Sequence, residues 1–94
     1  MGVDFFNKYK NQSVTVLFDD FCYDLNLDEV VEKKYPYIKD GVEYFSFYLI
    51  FSSDNDLHLN QGLYKFKFGE ELKDIFIVPV QPEGGRFIYQ AVFN

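Results

Sequence analysis

The chain has 94 residues, nine Lys and Arg against fifteen Asp and Glu, and a formal charge of −6. That length bounds it to one domain, 1–94, and 48% hydrophobic residues mark it as globular rather than disordered. An acidic balance without a basic run argues against direct nucleic-acid binding and against anionic membranes, since both draw on clustered Lys and Arg.

Phe5, Phe6 and Tyr9, at spacings of three and four, predict one or two amphipathic helical turns at the start. After Asn11-Gln12-Ser13 the period becomes two, and Val14–Phe18 reads as a strand. Asp19-Asp20 is a short acidic turn, after which Phe21, Tyr23, Leu25 and Leu27 alternate with Cys22, Asp24 and Asn26; the two runs predict a hairpin. Asp28-Glu29-Val30-Val31-Glu32-Lys33-Lys34 places acids before bases, the order a helix dipole favours, and predicts one short helix. Pro36 forces Tyr35 out of helical backbone. Asp40-Gly41 then turns the chain into Val42–Phe51, a strand apolar on both faces and so expected to be central and covered twice.

Ser52–Asn60 is polar and turn-rich. From Gly62 the alternation predicts Tyr64, Phe66 and Phe68 inward with Lys65 and Lys67 outward. Gly69–Asp74 reads as an acidic turn. Ile75–Val80 is a continuous apolar strand that Pro79 and Pro82 confine to an edge or a bulge near its finish. Glu83-Gly84-Gly85 turns the chain into a last strand, with Phe87, Tyr89, Ala91 and Phe93 on one face. Six strands with at most one or two short helices predict an all-β fold, a small barrel or a two-sheet sandwich. Twelve Phe and eight Tyr make 21% of the chain, and rings this large and numerous are expected to be its core.

The runs Phe45-Ser46-Phe47-Tyr48-Leu49, Leu59-Asn60-Gln61-Gly62-Leu63-Tyr64, Phe76-Ile77-Val78-Pro79 and Tyr89-Gln90-Ala91-Val92-Phe93-Asn94 carry a recognisable order and spacing. Over residues 42–94 the chain resembles a family of small bacterial domains of unknown function. Their pattern is Phe-Ser-Leu, then Leu-x-Gln-Gly-x-Tyr, then Phe-x-Val-Pro, then a terminal Tyr-x-Ala-Val-Phe-Asn. Where that family has Gly-Pro after its first strand, this chain has Ser52-Ser53-Asp54. The resemblance implies a compact β domain and a place among phage-derived or tail-like gene sets, and it transfers no catalytic, cofactor or metal residue.

Chemistry-bearing residues are sparse. Cys22 is the only cysteine, so no intrachain disulfide and no multi-cysteine zinc site can form. A Cys22–His58 dyad competes with a simpler reading, a small core residue and a solvated loop side chain. Asp54-Asn55-Asp56 offers oxygen ligands at i and i+2, but Leu59 and Lys65 stand where a calcium loop needs Gly and Glu. Glu70-Glu71 lies in a turn, without the apolar cleft that would make its carboxylates acid and base. No phosphate-binding glycine loop is present. The reading is therefore not an enzyme, with no cofactor. The start, MGVDFFNKYK, lacks a signal-peptide apolar region, and a cytoplasmic location is expected.

Two surface features stand out. Asp19, Asp20, Asp24, Asp28, Glu29 and Glu32 crowd one acidic stretch without a base, a steering surface for a basic partner. Tyr35 and Tyr37, in Tyr-Pro-Tyr, put two contact-prone rings in a loop. The expected function is a protein–protein interaction or assembly module, pairing with a partner or with itself along the edge of Phe87–Phe93. The alternatives are an acidic inhibitor of a nucleic-acid-handling protein's basic groove, and a small-ligand barrel.

Overall fold

The computed structural model describes residues 2–33, 37–44 and 46–93. Among these described residues one helix, α1 (Val3–Asn7), precedes eight strands: β1 (Ser13–Leu17), β2 (Cys22–Glu32), β3 (Tyr37–Lys39), β4 (Val42–Tyr44), β5 (Phe47–Ser53), β6 (Gly62–Phe68), β7 (Glu71–Glu83) and β8 (Arg86–Phe93). Six of them close into an antiparallel barrel in the order β1-β2-β5-β8-β7-β6, with β6 returning to β1. β3 and β4 form a separate two-stranded sheet. The barrel is two meanders, β1-β2-β5 and β6-β7-β8, joined by the crossover 54–61.

The period-two pattern explains the closure. Val14 and Val16, Tyr23, Leu25 and Leu27, Leu49 and Phe51, Phe66 and Phe68, Ile75 and Ile77, and Tyr89 and Ala91 are all buried. Their neighbours along each strand point outward. A six-stranded barrel is narrow, and these side chains form its filled core.

The helix expected over 28–34 is strand as far as Glu32. Leu27 pairs with Phe51 and Glu29 with Ile50, which makes Asp28 the extra residue of a β-bulge. Asn26 Nδ2 donates to the Asp28 carboxylate. The bulge resets the alternation, so Val30 packs against the core. A well-ordered charge pattern is worth only about 0.3–1 kcal/mol to a helix. Here it loses to a ladder with β5 and to two adjacent valines that suit a pleated strand. Lys34 falls outside the described residues.

The single strand expected over Val42–Phe51 is two: Val42–Tyr44 folds back on β3, and the barrel strand starts at Phe47. Its inner face is buried, while outward Tyr48 and Ile50 are half-buried rather than covered. The acidic turn expected over Gly69–Asp74 shrinks to Gly69 and Glu70, because Glu71–Asp74 already pair with β6. β7 is no edge: it lies between β6 and β8, and the register shift between Val80 and Glu83 supplies the irregularity expected near Pro82. The last strand has no free edge either. β5 flanks it on one side and β7 on the other, so edge-on pairing of Phe87–Phe93 with another chain is closed off.

Gly84 and Gly85, with φ of 57° and 77°, make the two-residue turn that joins paired Glu83 and Arg86. A Cβ at Gly85 meets nothing within 4 Å, so Gly85→Ala tests backbone strain alone. The expected loss is about 1–2 kcal/mol by urea denaturation, with an unchanged m value.

Candidate functional site

Both mouths of the barrel are stoppered. At one, α1 inserts Phe6 among Phe47, Phe68 and Phe93, with ring centroids 5.8, 5.4 and 5.3 Å away. At the other, the crossover is tied down by two tyrosines. Tyr23 Oη donates to the Leu57 carbonyl at 2.6 Å, Leu59 N–H donates to Tyr89 Oη at 2.9 Å, and the two hydroxyls lie 3.3 Å apart. Buried Leu59 fills the space beneath. Within the segment, Asn55 N–H donates to Ser53 Oγ and Leu57 N–H to Asn55 Oδ1. Burial pushes the Tyr89 hydroxyl pKa far above its usual value, and the hydrogen bond with Tyr23 adds to the shift. Phe6 and the tyrosine-tied crossover thus close the two ends of a barrel whose inward side chains are buried.

The outer face of β7, β8 and β5 is apolar to a degree a solvated sheet is not. Phe76, Val78 and Val80 point outward in succession along β7, at 49%, 36% and 38% exposure. Register carries the surface across the neighbouring strands: Leu63 sits beside Phe76, Ile88 beside Val80, and Val92 beside Tyr48. Gln90 is the polar interruption, between Val78 and Ile50. Three outward rows on β7, β8 and β5, with Leu63 of β6 beside the first, give a footprint on the order of 300 Å². That is the size of the largest apolar patch on an ordinary monomer, and such patches are commonly functional.

The six acids of the predicted site do not form one cluster. Asp19 and Asp20 sit in the β1–β2 turn, where Phe18 N–H donates to the Phe21 carbonyl and the two rings stack at 4.5 Å. Asp24 is on the outer face of β2, accepting from Thr15 Oγ1 at 2.9 Å. Asp28 is the bulge residue, Glu29 pairs with Ile50 beside the apolar face, and Glu32 is exposed at the strand's end. The acids thus line β2 over its whole length, and Asp28 and Glu29 border the apolar face. Lys65 and Lys67, exposed on β6, border its opposite side. Tyr35 lies outside the described residues. Tyr37 is described by its backbone alone, which opens β3.

Beside β2, an open concavity of about 420 Å³ is lined by Asp24, Asn26, Ser52, Asp54, Asn55 and Arg86 among others. Cys22 also lines it and is exposed on the outer face of β2, not the core residue expected, because the alternation turns Tyr23 and Leu25 inward instead. Arg86 Nε lies 2.8 Å from Asp54 Oδ1, an ion pair in which the N–H does not point along the contact. His58 packs its ring on Phe87, 4.8 Å away, and on Tyr89, and it is not among the residues that line the concavity. Among the described residues no three of His, Cys, Asp and Glu converge as metal ligands. No helix among them is long and apolar enough to cross a membrane.

Sequence reasoning passed over both features. The doubly apolar run Ile75–Val80 was the available signal for the first, because in a barrel with a filled core its outward side chains have nothing to cover them. The concavity joins residues from the first and second strands with Asp54 and Arg86, and only register and closure bring these together.

A family model described as a domain of unknown function (DUF6916) matches residues 1–93, beyond the 42–94 span that carried the resemblance. Comparison with curated proteins and with solved structures finds no match.

Proposed function

The chain belongs to the DUF6916 family, and we propose that it is a non-enzymatic assembly module that docks on a second copy of itself through the outer face of β7, β8 and β5. The observation that carries this reading is the registered apolar surface Leu63–Phe76–Val78–Val80–Ile88–Val92 on a barrel that offers no free edge. Burying it removes apolar area from water, the dominant driving term in association. Its footprint of about 300 Å² is somewhat under half of the roughly 800 Å² per partner that a stable interface uses, leaving the rest to a polar rim.

The rim supports a second copy as the occupant. Glu29 and Asp28 stand on the β2 side, and exposed Lys67 on the β6 side next to Lys65, whose Nζ already lies 3.5 Å from Asp74 Oδ1. A twofold axis along the strands sets the acidic border of one copy against the lysine border of the other, so steric and charge patterns close together. The resemblance to domains of phage-derived and tail-like gene sets, where proteins act by assembling, supports the same reading.

Sedimentation equilibrium over micromolar to near-millimolar protein tests it. A monomer–dimer equilibrium is expected, weakened roughly 100-fold or more by Phe76→Asp, because an isologous interface feels each substitution twice. Glu29→Lys is expected to weaken it less, and Glu29→Lys combined with Lys67→Glu to restore part of the loss. A monomer throughout the range overturns the reading. An association that survives Phe76→Asp, and weakens instead on reversing Asp19 and Asp20, replaces this face by the acidic turn.

A further inference from the structure

From the concavity beside β2 we infer a second site, independent of the apolar face, that binds an organic cation rich in N–H donors: a guanidinium or a primary ammonium group. Its walls come from Asp24 and Asn26 on β2, Ser52 on β5, Asp54 and Asn55 at the start of the crossover, and Arg86 at the head of β8.

The hydrogen-bond inventory sets the ligand class. Asn26 spends one amide N–H on Asp28, leaving its carbonyl Oδ1 and its second N–H free. Asp24 has one oxygen engaged by Thr15 and the other free. Asp54 uses one oxygen on Arg86, which neutralises the only cation in the lining and leaves the second oxygen unpaired. On the β2 side the free oxygens of Asp24 and Asn26 outnumber the one free Asn26 N–H, while across the concavity the Arg86 Nε is buried without an aligned acceptor and stays held against Asp54. The lining is net negative by one charge, two carboxylates against one guanidinium.

Ser52 is the independent observation. It faces outward in β5, opposite Asn26, yet it is only 1% exposed, and its Oγ is buried without a hydrogen-bond partner. A buried hydroxyl left unpaired is costly, of the order of 1–3 kcal/mol, and a ligand N–H reaching the floor of the concavity relieves that cost. A planar guanidinium suits this set because its donors point at several oxygens at once. A primary ammonium meets the same oxygens with three donors.

Nuclear magnetic resonance titration of the full chain with Nα-acetyl-argininamide tests the inference, with Nα-acetyl-citrullinamide as the neutral isostere. Amide shifts are expected at 22–26 and 52–55 with the cation, and weaker ones by at least tenfold in concentration with citrulline. Asp24→Asn, an outer-face change that leaves the core untouched, is expected to weaken binding at least tenfold, and Ser52→Ala severalfold. Two further arms separate the source of the cation. Tighter binding of a short apolar peptide with one central arginine assigns the site to a protein partner's side chain. Equal or tighter binding of putrescine assigns it to a free amine. Equal response to citrulline, shifts spread along all of β2, or no shift at millimolar ligand overturns the inference.

Discussion

Replacing Phe6 by Ala is expected to cost about 3–5 kcal/mol, one of the largest losses any single truncation in this chain should produce. The reason lies in how little else holds α1 in place. Five residues are too few for a helix to persist in water on its own propensity, so its existence depends on docking. Phe6 is fully buried and is the one buried residue of the helix. Its ring meets Phe5 edge-on at 5.1 Å as well as Phe47, Phe68 and Phe93. Those last three are fixed on β5, β6 and β8, whose ladders keep them from closing on the void. The cavity term should therefore be felt nearly in full. Against a total stability of roughly 5–15 kcal/mol the loss moves the urea midpoint drastically. Phe5→Ala is the internal control: Phe5 is half-buried, lying beneath Lys73 Nζ at 4.9 Å, and should cost about half as much or less. A Phe6→Ala loss below that of Phe5→Ala would show that the barrel mouth is stoppered by something other than Phe6.

The same residues show which parts of the molecule were legible in advance. Phe5, Phe6 and Tyr9 announced a helical turn, and the alternation of Tyr64, Phe66 and Phe68 with lysines announced inward and outward faces, because both patterns are local and each is one element's own periodicity. The stretch Asp28–Glu32 misled because its charge order is also local, whereas the ladder that overrides it comes from β5, fifteen or more residues away. The bulge at Asp28 was illegible for the same reason: a bulge is a mismatch between two strands and has no signature in one of them. Barrel against sandwich was undecidable from periodicity alone, since closure rests on Thr15, Val16 and Leu17 finding β6. The acids of β2 were seen as a run, but their division into turn, outer face, bulge and strand end follows from pairing. The concavity pairs Asp54 with Arg86 across 32 positions of sequence, and nothing local marks either.

Tyr89→Phe is the second large effect, because the hydroxyl it removes sits in a chain with a fixed direction. Tyr23 spends its single proton on the Leu57 carbonyl, so across the 3.3 Å contact it can only accept, and Tyr89 must be the donor. Tyr89 Oη in turn accepts from Leu59 N–H. The variant leaves that buried N–H without an acceptor and the Tyr23 oxygen without a donor, at an expected cost of about 2–3 kcal/mol at neutral pH. The chain of donors also predicts the alkaline limit. Burial first, and then donation to Tyr23, hold the Tyr89 pKa well above its ordinary value of 10. Below pH 10 both folded and unfolded chains keep this proton and its contribution is intact. Above that, the unfolded chain releases the proton while the folded one retains it, so stability falls by up to about 1.4 kcal/mol per pH unit. Urea midpoints at neutral pH and at successive points above pH 10 should therefore drop steeply for the native chain and less steeply for Tyr89→Phe. The two curves converge as the medium becomes more alkaline, since the variant has already lost what the native chain loses by titration. Parallel curves would mean that Tyr89 is not the residue whose proton the stoppered mouth keeps.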